Sequence, residues 1–126
     1  MPLEPGLCAA IVLDVAEADT AVAMRSGEVP VLATPRVVAL CEEASVRALV
    51  DRLGPGETSV GMRVQLDHLA PTAVGGAVTA EATLERFEGR RLVFTVSVND
   101  DRGLVAAGKL TRVIVDRARF LDKTSG

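Results

Sequence analysis

The sequence contains a single histidine, His68, at the end of a stretch in which apolar and polar residues alternate. The histidine has the same parity as four apolar residues, Val60, Met62, Val64 and Leu66. Since side chains alternate between the faces of a strand, this pattern predicts that the imidazole of His68 points towards a helix covering the sheet. An imidazole there could transfer protons, but a satisfied core histidine or a strand-end cap would explain the same pattern.

Glu42 is a second candidate because of its place on a predicted helix. At 100° per residue it falls among Val38, Ser45, Val46 and Leu49. The adjacent Glu43 falls instead on a charged face. A carboxylate in apolar surroundings is costly unless it has a partner or a chemical role, so Glu42 is a candidate base or nucleophile. An exposed glutamate at a dimer edge is the alternative.

Two further side chains could bind an anion. Thr34 precedes Pro35, which is typical of an N-cap hydroxyl followed by proline at the first helical position. Capping alone explains Thr34, although a helix N-terminus also offers free N–H groups to an oxyanion. Arg112 lies on the predicted apolar face of the last strand, where its guanidinium needs a carboxylate or a ligand anion. A structural ion pair would satisfy it equally well.

Composition excludes several other kinds of site. The 126 residues carry a net charge of −3 and 2% aromatic side chains, which argues against a nucleic-acid surface. With one histidine and no Cys-x-x-Cys pair, we expect no metal site. Ser59 and Ser97 have no histidine at a recognisable triad spacing, and no glycine-rich phosphate loop is present.

The apolar runs are too short to span a membrane, and no signal peptide is recognisable. Cys8 and Cys41 lie in apolar stretches, so we expect buried free thiols, as in a reducing compartment. These observations predict a cytoplasmic protein with one domain, residues 1–126.

Hydrophobic periodicity places the elements that must hold these side chains. A β-rich run covers residues 6–15, and residues 16–30 give no clear signal. A helix is predicted from Thr34–Pro35 to about Leu53, with one apolar face: Val37, Leu40, Cys41, Ala44 and Ala48. Four strands with a period of two follow, over residues 60–68, 78–85, 92–98 and 104–115, and then a short turn or helix around residues 117–121.

The short turns predict that the last four strands are consecutive antiparallel neighbours. Only the single helix can cover their apolar face, which indicates an α+β hot-dog fold of about five strands wrapped around one long helix. Because one helix rarely covers five strands, we expect a homodimer or a tetramer that buries the remainder.

Three stretches, residues 29–45, 56–76 and 87–120, resemble the fluoroacetyl-CoA thioesterase family of hot-dog proteins. Thr34 and Glu42 are 8 residues apart, and Glu42 and His68 are 26 apart, which matches the family's catalytic Thr, Glu and His. The resemblance also implies that Gly61 lies near the thioester carbonyl and that Arg112 is the family's strand arginine. Residues 25–30 contain no aromatic side chain, whereas fluoroacetyl-specific members carry lid phenylalanines before the threonine. Leu110 stands where many relatives have a histidine.

The resemblance implies hydrolysis of a short-chain acyl-CoA, with coenzyme A as part of the substrate and no separate cofactor. Glu42 would be the nucleophile or the general base, while His68 would orient it or carry the proton. The Thr34 hydroxyl would hold the carboxylate or carbonyl, and the Gly61 N–H would form part of the oxyanion site. Eight helical residues rise about 12 Å, so either the helix begins later than Pro35 or the site uses two chains at a dimer interface. A non-catalytic acyl-CoA-binding protein and another hot-dog activity on acyl-carrier thioesters remain alternatives.

Overall fold

The computed structural model describes residues 2–125 as one sheet with a helix packed on it. The elements in chain order are β1 (Cys8–Asp14), a 3₁₀ turn (Glu17–Asp19), α1 (Ala21–Met24), α2 (Thr34–Ala48), β2 (Glu57–His68), β3 (Ala77–Glu88), β4 (Arg91–Asp100), β5 (Gly103–Asp116) and α3 (Arg117–Asp122). All strand pairs are antiparallel, in the order β1-β3-β4-β5-β2. This is the predicted α+β architecture.

Helix α2 buries the face that its periodicity predicted, against the inner side chains of the sheet. The five predicted residues, Val37, Leu40, Cys41, Ala44 and Ala48, are all buried. The helix contacts β1 and β3 most extensively. Because the helix covers that half of the sheet, the strand at the opposite edge, β2, is left with much of its apolar surface in solvent.

Both ends of α2 differ from the prediction. Ala33 is the N-cap and no side chain caps the helix, so Thr34 is the first helical residue rather than the capping one. The helix stops at Ala48 instead of Leu53, because Leu49 is the C-cap and Asp51 adopts a left-handed φ of 64°. Aspartate tolerates that conformation better than most residues, so the chain turns before it reaches Gly54.

The position of β2 in the sheet was predicted wrongly. Strands β3, β4 and β5 form the expected meander, but β2 pairs with β5 at the sheet edge and does not contact β3. The connecting residues 69–76 cross the end of the sheet. The Leu69 N–H donates to the Val105 carbonyl at 2.8 Å, and the Gly75 N–H donates to the Val15 carbonyl at 2.8 Å. Three strand spacings are about 14 Å, which a connection of this length spans easily.

A β-bulge in β2 changes which residues face the helix. Gly61 pairs with Arg112 and Arg63 pairs with Thr111, so Met62 is an extra residue. The bulge puts Gly61 on the helix side together with the later, even-numbered positions, including His68, which is half-buried opposite the buried Ala106. The predicted orientation of His68 therefore agrees with the register, but Val60, which pairs with Val113, does not share its face.

The two cysteines are free but differ in environment. Cys41 is buried on the inner face of α2, whereas Cys8 is exposed on β1, contrary to the expectation that both are buried. Within residues 2–125, no helix combines the length and apolar character needed to cross a membrane.

Candidate active site

The structure brings Thr34 and His68 together although they are 34 residues apart in sequence. Thr34 Oγ1 lies 2.8 Å from His68 Nδ1, a hydrogen-bond distance. Thr34 is the first residue of α2 and His68 the last residue of β2, so the contact joins the end of a helix to the end of an edge strand. The threonine hydroxyl thus pairs with the imidazole rather than with the helix backbone.

The second ring nitrogen of His68 is enclosed but has no hydrogen-bond partner. Among the buried side-chain nitrogen and oxygen atoms of residues 2–125, only His68 Nε2 and Thr72 Oγ1 have no hydrogen-bond partner. A cavity of about 320 Å³ lies against Thr34 and His68. Its other walls are small or apolar and include Ala21, Gly27 and Val29. We name Thr34, His68 and this cavity the open half-site.

Glu42 lies in a second cluster, in which every charged group has a partner. Arg112 Nη1 donates to Glu42 Oε2 at 3.1 Å, while Nε and Nη2 donate to the Ser59 hydroxyl and carbonyl, each at 2.9 Å. Burial lowers the pKa of the Arg112 guanidinium, and the charge of Glu42 offsets part of that effect. The predicted partner of Arg112, a carboxylate, is therefore Glu42. We name Glu42, Arg112, Ser59 and Gly61 the packed half-site.

Gly61 makes room for the carboxylate. A Cβ atom at position 61 would lie only 2.6 Å from Glu42 Oε2, closer than real Cβ contacts allow. Any larger residue at this position would therefore displace the Glu42 carboxylate from its observed position. Ser59 was missed as a site residue, although it precedes the bulge with the same parity as Gly61 and so lies on the same face.

The two half-sites do not meet within one chain. Because α2 begins at Thr34, its first residue is separated from Glu42 by about 12 Å of helical rise, and the alternative of a later helix start is wrong. In residues 2–125, Glu42 makes no hydrogen bond to Thr34 or His68; its side-chain partner is Arg112.

Cys41, next to Glu42 in sequence, is not a competing nucleophile. Burial, with a smaller contribution from the charge of Glu42, raises the pKa of its thiol to about 11. The thiol is therefore protonated at neutral pH. No cluster of three metal-ligating side chains occurs in the part of the chain that the structure describes.

The fold and the position of the two clusters define a hot-dog protein, and comparisons with known proteins identify its family. The model of the fluoroacetyl-CoA-specific thioesterase family matches residues 15–118. The curated fluoroacetyl-CoA thioesterase of Streptantibioticus cattleyicolor is 39% identical over 90 residues, which span 71% of this chain and 65% of the relative. The chain belongs to the fluoroacetyl-CoA-specific thioesterase family.

Solved structures agree with this assignment. The fluoroacetyl-CoA thioesterase FlK superposes with a TM-score of 0.93 at 30% identity, covering 98% of this chain and 96% of FlK. A hot-dog-like protein from Thermanaerovibrio acidaminovorans gives 0.89 at 30% identity, covering 97% and 90%. Mutants of FlK were solved with acetyl-CoA and with fluoroacetate and CoA.

Proposed function

We propose that this chain hydrolyses short-chain acyl-CoA thioesters at a site formed by two copies of the chain. The open half-site of one copy supplies Thr34 and His68, and the packed half-site of the other supplies Glu42 and Arg112. The observation that carries the proposal is the Thr34–His68 contact beside a cavity of about 320 Å³, with Nε2 enclosed and unpartnered. Because Nε2 is enclosed within one chain, the ring must turn towards the cavity before a group from a second molecule can pair with that nitrogen.

The chemistry follows from the two half-sites. Arg112 holds Glu42 in place as an anion, and the carboxylate either attacks the thioester carbonyl to form a mixed anhydride or takes the proton from an attacking water. Both routes end in a free acid and CoA. If His68 carries its proton on Nδ1 and donates it to Thr34 Oγ1, Nε2 can take a proton from water during hydrolysis. The resulting imidazolium can then give that proton to the departing CoA thiolate.

The exposed edge of the sheet supports the two-chain arrangement. Strand β2 pairs on one side only, and Met62 and Val64 on it are 49% and 45% exposed. If two β2 strands pair antiparallel about Gln65, Leu66 lies opposite Val64 of the partner subunit. Because Met62 is an extra residue, Gly61 of one chain then lies opposite His68 of the partner subunit. Glu42, which lies beside Gly61, would then approach the imidazole across the interface.

Complementation between two inactive variants tests this arrangement. His68→Ala and Glu42→Gln chains, each inactive alone, are coexpressed with different tags and the mixed dimer is purified. A site shared between chains leaves one of the two sites intact, so release of free thiol from acetyl-CoA should return. A site within one chain leaves none intact.

A mixture of Thr34→Val and His68→Ala chains is the matched control. Both changes damage the open half-site, so no mixed dimer contains an intact site and activity should stay absent. If the His68→Ala and Glu42→Gln mixture also remains inactive, the shared site is wrong.

The acyl group is tested on the wild-type protein with acyl-CoA substrates of increasing chain length and halogenation. Binding of these substrates without any release of thiol would instead support an acyl-CoA-binding protein. Release from acyl-carrier-protein thioesters alone would support a different hot-dog activity.

A further inference from the structure

A second cleft lies at the C-terminal end of β5, next to the packed half-site and distinct from the cavity of the open half-site. It has a volume of about 280 Å³ and is lined by Arg90, Arg119, Lys123 and Phe120, among others. Arg90 comes from the β3–β4 turn, whereas the other three come from α3 and the residue after it. We name these four side chains the basic cleft.

The charges of the basic cleft are only partly neutralised. Arg90 contacts Glu57 at 3.3 Å, and both side chains are accessible to solvent. The side chains of Arg119 and Lys123 form no ion pair with any residue of 2–125. Asp116, which also lines the cleft, uses one oxygen to cap α3 by accepting from the Arg119 N–H at 3.0 Å. In a chain with a net charge of −3, this concentration of cations indicates an anionic ligand.

An aromatic ring stands beside these cations. The chain has three phenylalanines and no tryptophan or tyrosine, and Phe120 is 37% exposed on the surface of α3. An exposed ring can stack on a nucleobase, while arginine and lysine bind phosphate oxygens. The combination fits an adenine nucleotide that carries several phosphates.

We propose that the basic cleft binds the 3′-phosphoadenosine diphosphate end of coenzyme A. The inference rests on the proposed function, because it takes acyl-CoA as the substrate. Arg119 and Lys123 would contact phosphate oxygens, Phe120 would stack on the adenine, and Arg90 would exchange Glu57 for a phosphate.

The position of the cleft along β5 suits such a ligand. Arg112 of the packed half-site and Asp116 of the cleft are four residues apart on the same strand, about 13 Å. In coenzyme A, the phosphopantetheine arm separates the nucleotide from the thioester. A nucleotide held in the cleft can therefore place its thioester near Glu42 of the same chain, while His68 approaches from the partner subunit.

Calorimetric titration of CoA and of dephospho-CoA, which lacks the 3′-phosphate, tests the site. In the wild-type protein we expect CoA to bind more tightly than dephospho-CoA. The double variant Arg119→Glu/Lys123→Glu should weaken CoA binding at least tenfold and reduce the difference between the two ligands. Phe120→Leu, which keeps an apolar side chain, should weaken both ligands several-fold and provides a second test if the double variant folds poorly.

Arg102→Glu is the matched charge reversal, because Arg102 lies in the β4–β5 turn at the opposite end of β5. Its CoA affinity should stay within twofold of the wild type. If the double variant and Phe120→Leu change the CoA affinity no more than Arg102→Glu does, the basic cleft does not bind CoA. Thiol release by the wild type would still support the proposed function in that case. CoA binding that depends on these residues, without thiol release from any thioester, would retain the site and reject hydrolysis.

Discussion

In both the open and the packed half-site a hydroxyl pairs with a side-chain nitrogen, but the surroundings of that pair differ. In the open half-site, one nitrogen of His68 is enclosed without a partner and a cavity of about 320 Å³ lies beside the ring. In the packed half-site, Arg112 donates to three oxygens and Glu42 lies in contact distance of the strand below it. The open half-site has space for a ligand group, and the packed half-site holds the Glu42 carboxylate in position.

This difference indicates how the two half-sites would share the proposed reaction. A carboxylate that must act on a thioester benefits from a fixed position, because motion away from the reacting atoms lowers the rate. An acyl group must enter and leave, so the cavity and the imidazole need unoccupied space. Substitutions in the packed half-site can separate its chemical role from its structural role.

The largest effect is expected from Glu42→Gln. The amide has almost the shape of the carboxylate and can still accept from Arg112, but it can neither attack a carbonyl nor take a proton. We expect kcat for acetyl-CoA to fall by about 10²-fold or more, with the folded structure retained. The measurement is steady-state thiol release, with circular dichroism as a check on folding.

Glu43→Gln is the control, because Glu43 is adjacent and exposed on the helix surface. Its kcat should match that of the wild type. If Glu42→Gln and Glu43→Gln change kcat equally, Glu42 has no chemical role in the reaction.

Gly61→Ala should have the next largest effect. The added methyl group would lie 2.6 Å from Glu42 Oε2, so the carboxylate must move away from its contact with Arg112. We expect kcat to fall about tenfold, which corresponds to about 1.4 kcal/mol in the barrier.

Gly54→Ala provides the comparison for steric crowding. A Cβ there would also meet a glutamate oxygen, Glu57 Oε1, at 3.0 Å. Glu57 belongs to neither half-site, so its displacement should leave kcat unchanged. If both variants lose activity equally, the contact between Gly61 and Glu42 has no special role.

Ser59→Ala tests how the packed half-site is held together. The change removes the hydroxyl that accepts from Arg112 Nε but leaves the backbone carbonyl that accepts from Nη2. We expect the free energy of unfolding to fall by about 1 kcal/mol and kcat to fall a few-fold. Urea denaturation and steady-state kinetics measure the two effects.

Ser97→Ala is the matched control, since the Ser97 hydroxyl forms no hydrogen bond to the described residues and lies on the strand next to β5. It should change neither quantity. A Ser59→Ala variant that also changes neither would show that Arg112 does not depend on the hydroxyl.

The parts of this molecule that follow from short-range pattern were predicted well. The apolar face of α2 and the tight β3–β4 turn with Gly89 at φ 58° depend on residues close in sequence. The place of β2 beside β5 does not, because a short connection from residue 69 to 76 suits either a turn or a crossing. The bulge at Met62 likewise leaves no signal in an alternating pattern, yet it decides that Gly61 faces α2.

In the candidate site, too, some features were predictable from the sequence and others were not. Parity and the cost of burying a guanidinium predicted that Arg112 would need an anion, and its partner is Glu42. The contact between Thr34 and His68 joins residues far apart in sequence, and only the family spacing pointed to it. The cavity is walled largely by residues 21–31, whose composition gave no clear periodicity.

The smallest effect is expected from Asp19→Asn, which concerns the wall of the open half-site. Asp19 accepts from the Ala16 N–H at 2.9 Å and from Arg36 Nε at 3.0 Å, so it ties the segment before α1 to the first turn of α2. The hydrogen bond from Ala16 is the main cause that lowers the pKa of Asp19 below its ordinary value of 3.8; burial opposes it, and Arg36 lowers the pKa further. The folded protein therefore favours the ionised form.

This shift predicts the pH dependence of the effect. A carboxyl whose pKa is lower in the folded state stabilises the protein above its unfolded-state pKa, and that contribution is lost as the pH falls through the folded-state pKa. At pH 7 we expect Asp19→Asn to lower the free energy of unfolding by about 1 kcal/mol or less, since the ion pair is near the surface. The difference from the wild type should shrink when urea denaturation is repeated below pH 3.8. Asp14→Asn, at an exposed carboxyl on β1, is the control, and its difference in free energy of unfolding from the wild type should not shrink in acid. If the difference for Asp19→Asn persists undiminished in acid, the charge of Asp19 does not hold the cavity wall.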